Sequence, residues 1–60
     1  MEINTIVVAK NNMKCITGYI TKGEPAFVIR NKNEKLVDII NFRNQLIYNV
    51  PINCLYYERK

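Results

Sequence analysis

The sequence predicts an all-β fold, a small five-stranded antiparallel barrel that residues 1–60 form as a single domain. Three observations predict it. Runs rich in β-branched residues alternate with turn residues at a spacing of about 8–12 positions, which is typical of small all-β domains. The hydrophobic fraction, 48%, is high enough for one core and the length too short for a second. The last fifteen residues read as two short strands separated by the turn sequence Asn49-Val50-Pro51.

The first three strands follow from alternation and from the turn residues between them. Residues 3–10 form a β-branched run that ends at Asn11-Asn12, and asparagine tolerates the backbone of a tight hairpin. Residues 13–21 form the second run, with Ile16, Gly18 and Ile20 on one face. A glycine inside a strand indicates a bend or a close backbone approach. Residues 26–30 form the third strand, between turns at 22–25 and 31–34.

Residues 35–48 allow two interpretations. As a helix, this segment would bear an apolar stripe interrupted by Arg43 and could be capped by Asn33. The stripe would consist of Leu36, Ile39, Ile40, Leu46 and Ile47. Its β-branched residues, the internal Asn41 and Asn44 and the regular turn spacing favour strands instead. The alternative fold is an α+β domain, a three- or four-stranded sheet with one helix at about 34–48.

The bend at Gly18 and the closing segment, residues 46–57, give the chain an outline that resembles the Sm-like barrel and, more loosely, the Src-homology-3-like barrel. The resemblance implies that architecture and a tendency to assemble through strand edges. It implies no RNA-contacting residue, because the RNA-contacting signature of Sm-like proteins has no counterpart in this chain.

The residue types that most enzymes use are missing or scattered. The chain contains no histidine and no serine, which removes the commonest general base and one common nucleophile. Its five acidic residues are scattered, two distant cysteines cannot form a cysteine-rich zinc site, and two glycines form no phosphate-binding loop. We therefore expect no enzymatic activity, no metal and no cofactor.

Composition also predicts where the protein acts. No segment approaches the roughly 20 apolar residues of a membrane span, and the first residues lack the pattern of a signal peptide. We therefore expect a cytoplasmic protein. Cys15 and Cys54 are then best interpreted as small buried thiols, with a disulfide or a reactive thiol as alternatives. The abundance of asparagine, isoleucine and lysine favours an AT-rich bacterial or phage genome.

Two groups of residues are candidates for contact with a partner. In a consecutive meander, the first and third loops meet at one end, which would gather five basic residues. They are Lys10, Lys14, Arg30, Lys32 and Lys35. Tyr56 and Tyr57 must face opposite sides of a strand. Ile52 and Leu55 are expected inside with Tyr57, which leaves Tyr56, together with Tyr48, as the candidate interface.

These features predict a small non-enzymatic binding module that acts as a protein-binding regulator or inhibitor. The net charge of +4 also allows a basic nucleic-acid-binding barrel. A structural homo-oligomer is the third hypothesis, because a domain this small leaves strand edges exposed. A protein partner or a second copy is favoured over nucleic acid, and neither a membrane nor a small-molecule substrate is predicted.

Overall fold

The computed structural model describes residues 2–58, and nearly all of its regular structure is β-strand. The elements are β1 (Ile6–Ala9), β2 (Met13–Cys15), β3 (Gly18–Ile20), β4 (Pro25–Asn31), β5 (Leu36–Asn41), β6 (Leu46–Pro51), a 3₁₀ turn (Ile52–Cys54) and β7 (Leu55–Tyr57). Within this described part of the chain, no helix is long and apolar enough to cross a membrane.

Five strands form one antiparallel sheet in the order β6-β5-β4-β1-β7, while β2 and β3 pair only with each other. The strand β1 therefore lies between β4 and β7, with Val7 opposite Ala26 on one side and Tyr57 on the other. The separate pair of β2 and β3, here called the ribbon, forms from the connection between β1 and β4. Cys15 pairs with Gly18 at its tip.

One face of the sheet and the ribbon enclose the core. Its buried members are Val7, Ala9, Ile20, Ala26, Val28, Val37, Ile39, Ile47, Val50 and Leu55, with Met13, Cys15 and Ile52 packed against them. This set contains no aromatic residue. Short aliphatic side chains fill the space because the ribbon packs close to the sheet.

Two polar side chains are also buried, Asp38 and Asn41. Asp38 lies at an irregularity of the ladder, between Val37 and Ile39, where its carboxylate accepts a hydrogen bond from the Asn49 amide at 3.0 Å. Asn49 has a φ of 57°, a conformation that asparagine adopts more readily than most residues. The buried carboxylate thus satisfies a backbone amide at a strained position of β6.

The strand interpretation of residues 35–48 is confirmed, and the helical alternative is wrong. β5 and β6 cover most of this segment and are joined by a tight turn at residues 42–45. In β4, Ala26 and Val28 are buried whereas Phe27 and Ile29 are not, so this part of the strand alternates.

The consecutive meander is wrong, because β1 pairs with β4 and β7 and not with the segment that follows it. Residues 13–21 do not form one strand either. They fold back at Ile16-Thr17, which leaves the Ile16 side chain fully exposed at the tip of the ribbon. Nor is the five-stranded sheet closed by backbone pairing as a barrel would be, since β6 and β7 are the two ends of its strand order.

The closing segment differs from its prediction in two respects. β6 continues through Asn49 to Pro51, so the turn comes later, at the 3₁₀ turn. Tyr57 shares the inward side of β7 with the buried Leu55, yet it is 53% exposed. It misses the core because β7 is the last strand of the sheet, with no neighbour to enclose its end.

Candidate protein-binding surfaces

A polar junction holds the ribbon against the turn between β5 and β6. The buried Asn41 amide group donates to the Tyr19 carbonyl at 2.8 Å, and its oxygen accepts from the amides of Arg43 and Gln45. Arg43 also donates to the Tyr19 carbonyl at 2.9 Å and lies over the Tyr19 ring. A salt bridge of 3.2 Å joins Arg43 to Glu24. These groups satisfy one another, so the junction is structural.

The β6 edge of the sheet is covered where the ribbon crosses it. The Thr17 hydroxyl donates to the Leu46 carbonyl at 2.6 Å, and the Cys15 thiol donates to the same oxygen at 3.2 Å. Side chains of the ribbon thereby occupy an outward backbone carbonyl of β6 that an added strand would need.

The same contacts change the acidity of Cys15. Burial raises the pKa of the Cys15 thiol, but the hydrogen bond between its sulfur and the Thr17 side chain, together with hydrogen bonds to the amides of Tyr48, Thr17 and Gly18, lowers it further than burial raises it. The net pKa lies below the ordinary thiol value. Cys15 and Cys54 are both free thiols, so the predicted alternative of a disulfide is not observed.

The β7 edge is open. The Lys10 amide donates to the Cys54 carbonyl and the Glu58 amide to the Ile6 carbonyl. Hydrogen-bonded pairs alternate along an antiparallel ladder, so Tyr56 also bonds to β1, whereas the main-chain groups of Leu55 and Tyr57 point away from it. The Leu55 amide donates a hydrogen bond to the Ile52 carbonyl. The Leu55 carbonyl and both main-chain groups of Tyr57 therefore face outward at the end of the sheet.

A cleft of about 730 Å³ lies along this open edge. Its lining residues are Val8, Gly23, Ile52, Leu55, Tyr56, Tyr57 and Glu58. The 3₁₀ turn positions Ile52 beside the start of β7, and Gly23, with a φ of 86°, brings the loop before β4 to its other side. Both tyrosine side chains are about half exposed, so each offers the cleft part of an apolar ring and a hydroxyl group.

The two tyrosines of the predicted interface lie on different strands. Tyr56 lines the cleft, whereas Tyr48 is on β6, where the ribbon lies. Ile52 packs against the core, as expected, and also lines the cleft, which was not predicted, whereas Tyr57 was expected in the interior and is exposed. The adjacent Tyr56-Tyr57 pair at the end of the chain was the signal that could have identified both tyrosines.

The five predicted basic residues separate into two regions of the sheet and one of the ribbon. Lys10 follows the end of β1 that pairs with Pro25, at the start of β4. Arg30, Lys32 and Lys35 lie at the other end of β4, on the hairpin to β5, here called the basic hairpin. Lys14 is on β2. The consecutive meander, which would have brought these five residues together, does not form. Of the five, only the three on the basic hairpin remain neighbours.

The basic hairpin is ordered by its backbone. Asn33 accepts hydrogen bonds from the amides of Lys35 and Leu36 at 2.8 and 3.0 Å, and the Lys32 amide donates to the Leu36 carbonyl. The Arg30 side chain lies 4.0 Å from the buried Asp38 carboxylate and is itself 69% exposed. The lysine side chains are therefore free of any role in forming the turn.

Comparison with known proteins identifies no relative: no family model, curated protein sequence or solved structure matches the chain. Among residues 2–58, no three His, Cys, Asp or Glu side chains come close enough to hold a metal ion.

Proposed function

We propose that this protein is a non-enzymatic protein-binding module that holds an extended segment of a partner protein along the open edge of β7. The observation that carries the proposal is the coincidence of the outward main-chain groups of Leu55 and Tyr57 with the adjacent cleft. A strand added at an edge gains affinity from main-chain hydrogen bonds and specificity from pockets for its alternate side chains. This edge has both.

The composition of the cleft supports an apolar side chain as the recognised group. Ile52 and Leu55 supply aliphatic surface, and Tyr56 and Tyr57 supply large rigid rings with hydroxyl groups. Tyrosine is enriched at protein interfaces for this combination. The partner segment is therefore expected to place a large apolar residue in the cleft and to donate to and accept from Tyr57.

The net charge of +4 supports an acidic partner, because complementary charge accelerates the encounter of two proteins. Occupation of a partner by so small a protein suits a regulator or inhibitor, encoded by a bacterium or a phage. Two free thiols are consistent with the reducing environment of the cytoplasm.

For the fold, we propose an open relative of the Sm-like and Src-homology-3-like barrels. The two edge strands are connected by only three residues, Ile52–Cys54. A connection of that length spans at most about 14 Å, whereas the edges of a flat five-stranded sheet lie about 19 Å apart. The sheet must therefore coil, which supports kinship with barrels even though its edges do not pair.

The basic hairpin favours a second candidate function, nucleic-acid binding. Arg30, Lys32 and Lys35 come within six positions, with Glu34 as the single acid among them. Neighbouring cations on an ordered turn suit contacts to phosphates. Nucleic-acid binding can be distinguished from protein binding, since the affinity for nucleic acid would fall steeply as the salt concentration rises.

The test is a pull-down from host lysate with the immobilised protein, with and without nuclease, comparing Tyr57→Pro with Tyr57→Ala. Proline removes the outward amide of Tyr57 and leaves the ladder to β1 intact, so the domain should fold. Alanine removes the ring and keeps the amide. We expect a partner that resists nuclease, binds more weakly to Tyr57→Ala and is lost with Tyr57→Pro.

Two outcomes would contradict the proposal. Equal retention of the partner by Tyr57→Pro and by the wild-type protein would exclude strand addition at β7. Loss of every retained protein after nuclease would favour the nucleic-acid function instead. Circular dichroism and thermal melting of both variants provide the control for folding.

A further inference from the structure

The β7 edge and the basic hairpin are joined through the 3₁₀ turn. The Ile52 amide donates to the Lys35 carbonyl at 2.9 Å, and the Ile52 carbonyl accepts from the Leu55 amide. Ile52 therefore bonds to the basic hairpin on one side and to the first residue of β7 on the other. Backbone hydrogen bonds thus hold these two candidate surfaces next to each other.

A second depression continues the cleft of the β7 edge towards the basic hairpin. It has a volume of about 560 Å³. Its lining residues are Glu34, Lys35, Leu36, Pro51, Ile52 and Asn53. Ile52 lines both the depression and the cleft, so the two recesses adjoin. A segment that extends past the start of β7 therefore meets a recess on its way to the basic hairpin.

The cations at the far end of this path are not neutralised within the fold. Among residues 2–58, neither Lys32 nor Lys35 takes part in a salt bridge, and the Arg30 side chain is 69% exposed beside the buried Asp38. Glu34 is the single acid among the three cations. Complementary charges on a partner would therefore find these cations available.

We propose that the partner segment held along β7 continues over the 3₁₀ turn and places acidic side chains on the basic hairpin. The inference rests on the proposed function and specifies its partner, an extended acidic segment with one large apolar residue for the cleft. The longest dimension of the molecule is 26 Å, so about eight extended residues, at roughly 3.3 Å each, cover the whole path.

A polypeptide suits this path better than a nucleic acid does. The outward main-chain groups of Leu55 and Tyr57 pair with the main chain of an added strand, and the cleft accepts an apolar side chain. Acidic side chains on the same segment would then meet Lys32 and Lys35. A nucleic acid would use the cations and leave the β7 edge unpaired.

The test uses two blocked peptides of eight residues as probes, in a titration of the full chain followed by amide chemical shifts. One peptide begins with three glutamates and continues with threonine, valine, leucine, valine and threonine. The other has the reverse order, so that one of the two suits either direction of the added strand. We expect the tighter peptide to shift the amides of Tyr57 and Lys35 with a single dissociation constant.

Two comparisons show whether the basic hairpin contributes. Lys35→Glu should weaken the tighter peptide roughly fivefold or more, because an attraction is replaced by a repulsion. Lys14→Glu, which makes the same change of net charge on the ribbon, is the matched control and should have little effect. A peptide with glutamine in place of each glutamate should bind the wild-type protein roughly tenfold more weakly, and this result needs no variant to fold.

The inference and the proposed function fail separately. Binding that Tyr57→Pro abolishes but that Lys35→Glu and the glutamine peptide leave unchanged would overturn the inference and keep the β7 edge. Binding that survives Tyr57→Pro would exclude the β7 edge itself. Failure of both peptides to bind at about 1 mM would overturn the inference, and so would tighter binding of an eight-nucleotide oligothymidine that Tyr57→Pro leaves intact.

Discussion

Gly18 lies directly against Gln45, and the Gln45 side chain occupies the space that a Cβ of residue 18 would need. This contact joins the first residue of β3 to the turn between β5 and β6. It lies next to the hydrogen bonds from Asn41 and Arg43 to the Tyr19 carbonyl. The close approach that the sequence analysis expected at Gly18 is thus confirmed.

Gly18→Ala should lower the free energy of unfolding by about 1–3 kcal/mol, because the added methyl group forces the ribbon away from the turn. Urea denaturation measures it. If the clash with Gln45 is the cause, the double variant Gly18→Ala/Gln45→Gly should lose less than the sum of its single variants. Strict additivity would assign the effect to backbone conformation instead.

Asn41→Leu should cost about 2–4 kcal/mol of the free energy of unfolding, a value that thermal and chemical denaturation can check. Leucine has nearly the same shape but leaves the amides of Arg43 and Gln45 without their acceptor in a buried site. Asn53→Ala, at an exposed position of the 3₁₀ turn, should change the free energy of unfolding by less than about 0.5 kcal/mol. Similar losses for both variants would contradict this role of Asn41.

Cys15 should react with iodoacetamide at lower pH than the same residue in the urea-unfolded chain, since its thiol pKa is lowered in the folded protein. A pH profile of the alkylation rate, with Cys54 replaced by alanine, measures this. Thr17→Val removes the hydroxyl that forms a hydrogen bond with the Cys15 sulfur and should move the profile towards that of the unfolded chain. Superimposable profiles for the folded and unfolded chains would refute the lowered pKa.

The same shift has a definite sign in the pH dependence of stability. A thiol whose pKa is lower in the folded than in the unfolded state stabilises the fold once the pH exceeds the unfolded value, and this contribution is lost as the pH falls through the folded value. The stability of the wild-type protein relative to Cys15→Ala should therefore increase towards alkaline pH.

Reversal of Lys32 and Lys35 to glutamate should leave the melting temperature nearly unchanged, because both residues form the turn through backbone groups. If nucleic acid is the partner, the three cations of the basic hairpin would contact three phosphates. The logarithm of the affinity should then fall against the logarithm of the salt concentration with a slope of roughly −3 for duplex DNA, and the reversal should abolish binding. If an acidic protein is the partner, the reversal should mainly slow association, as measured by stopped-flow or surface plasmon resonance.

Lys22→Glu provides the control for Lys32→Glu, since it makes the same change of net charge in a turn away from the basic hairpin. Equal effects of the two single variants would show that net charge acts, and not the basic hairpin. Full binding by the double reversal would exclude the basic hairpin as a contact surface and leave the β7 edge as the candidate.

The sequence by itself determined the class of structure and most of its strands. Alternation reports which residues of a strand share a side, so the strand character of residues 36–41 could be predicted. The absence of histidine and serine, the charge and the tyrosine pair at the end were equally readable. All of these are local properties.

Only the tertiary structure decided which strands are neighbours. Alternation carries no information on pairing partners, so it could not place β1 between β4 and β7, nor separate Lys10 from the basic hairpin. The same limit explains Tyr57, which faces inward but lies at the end of the sheet. Strand register is a non-local property, set by the packing of the whole chain.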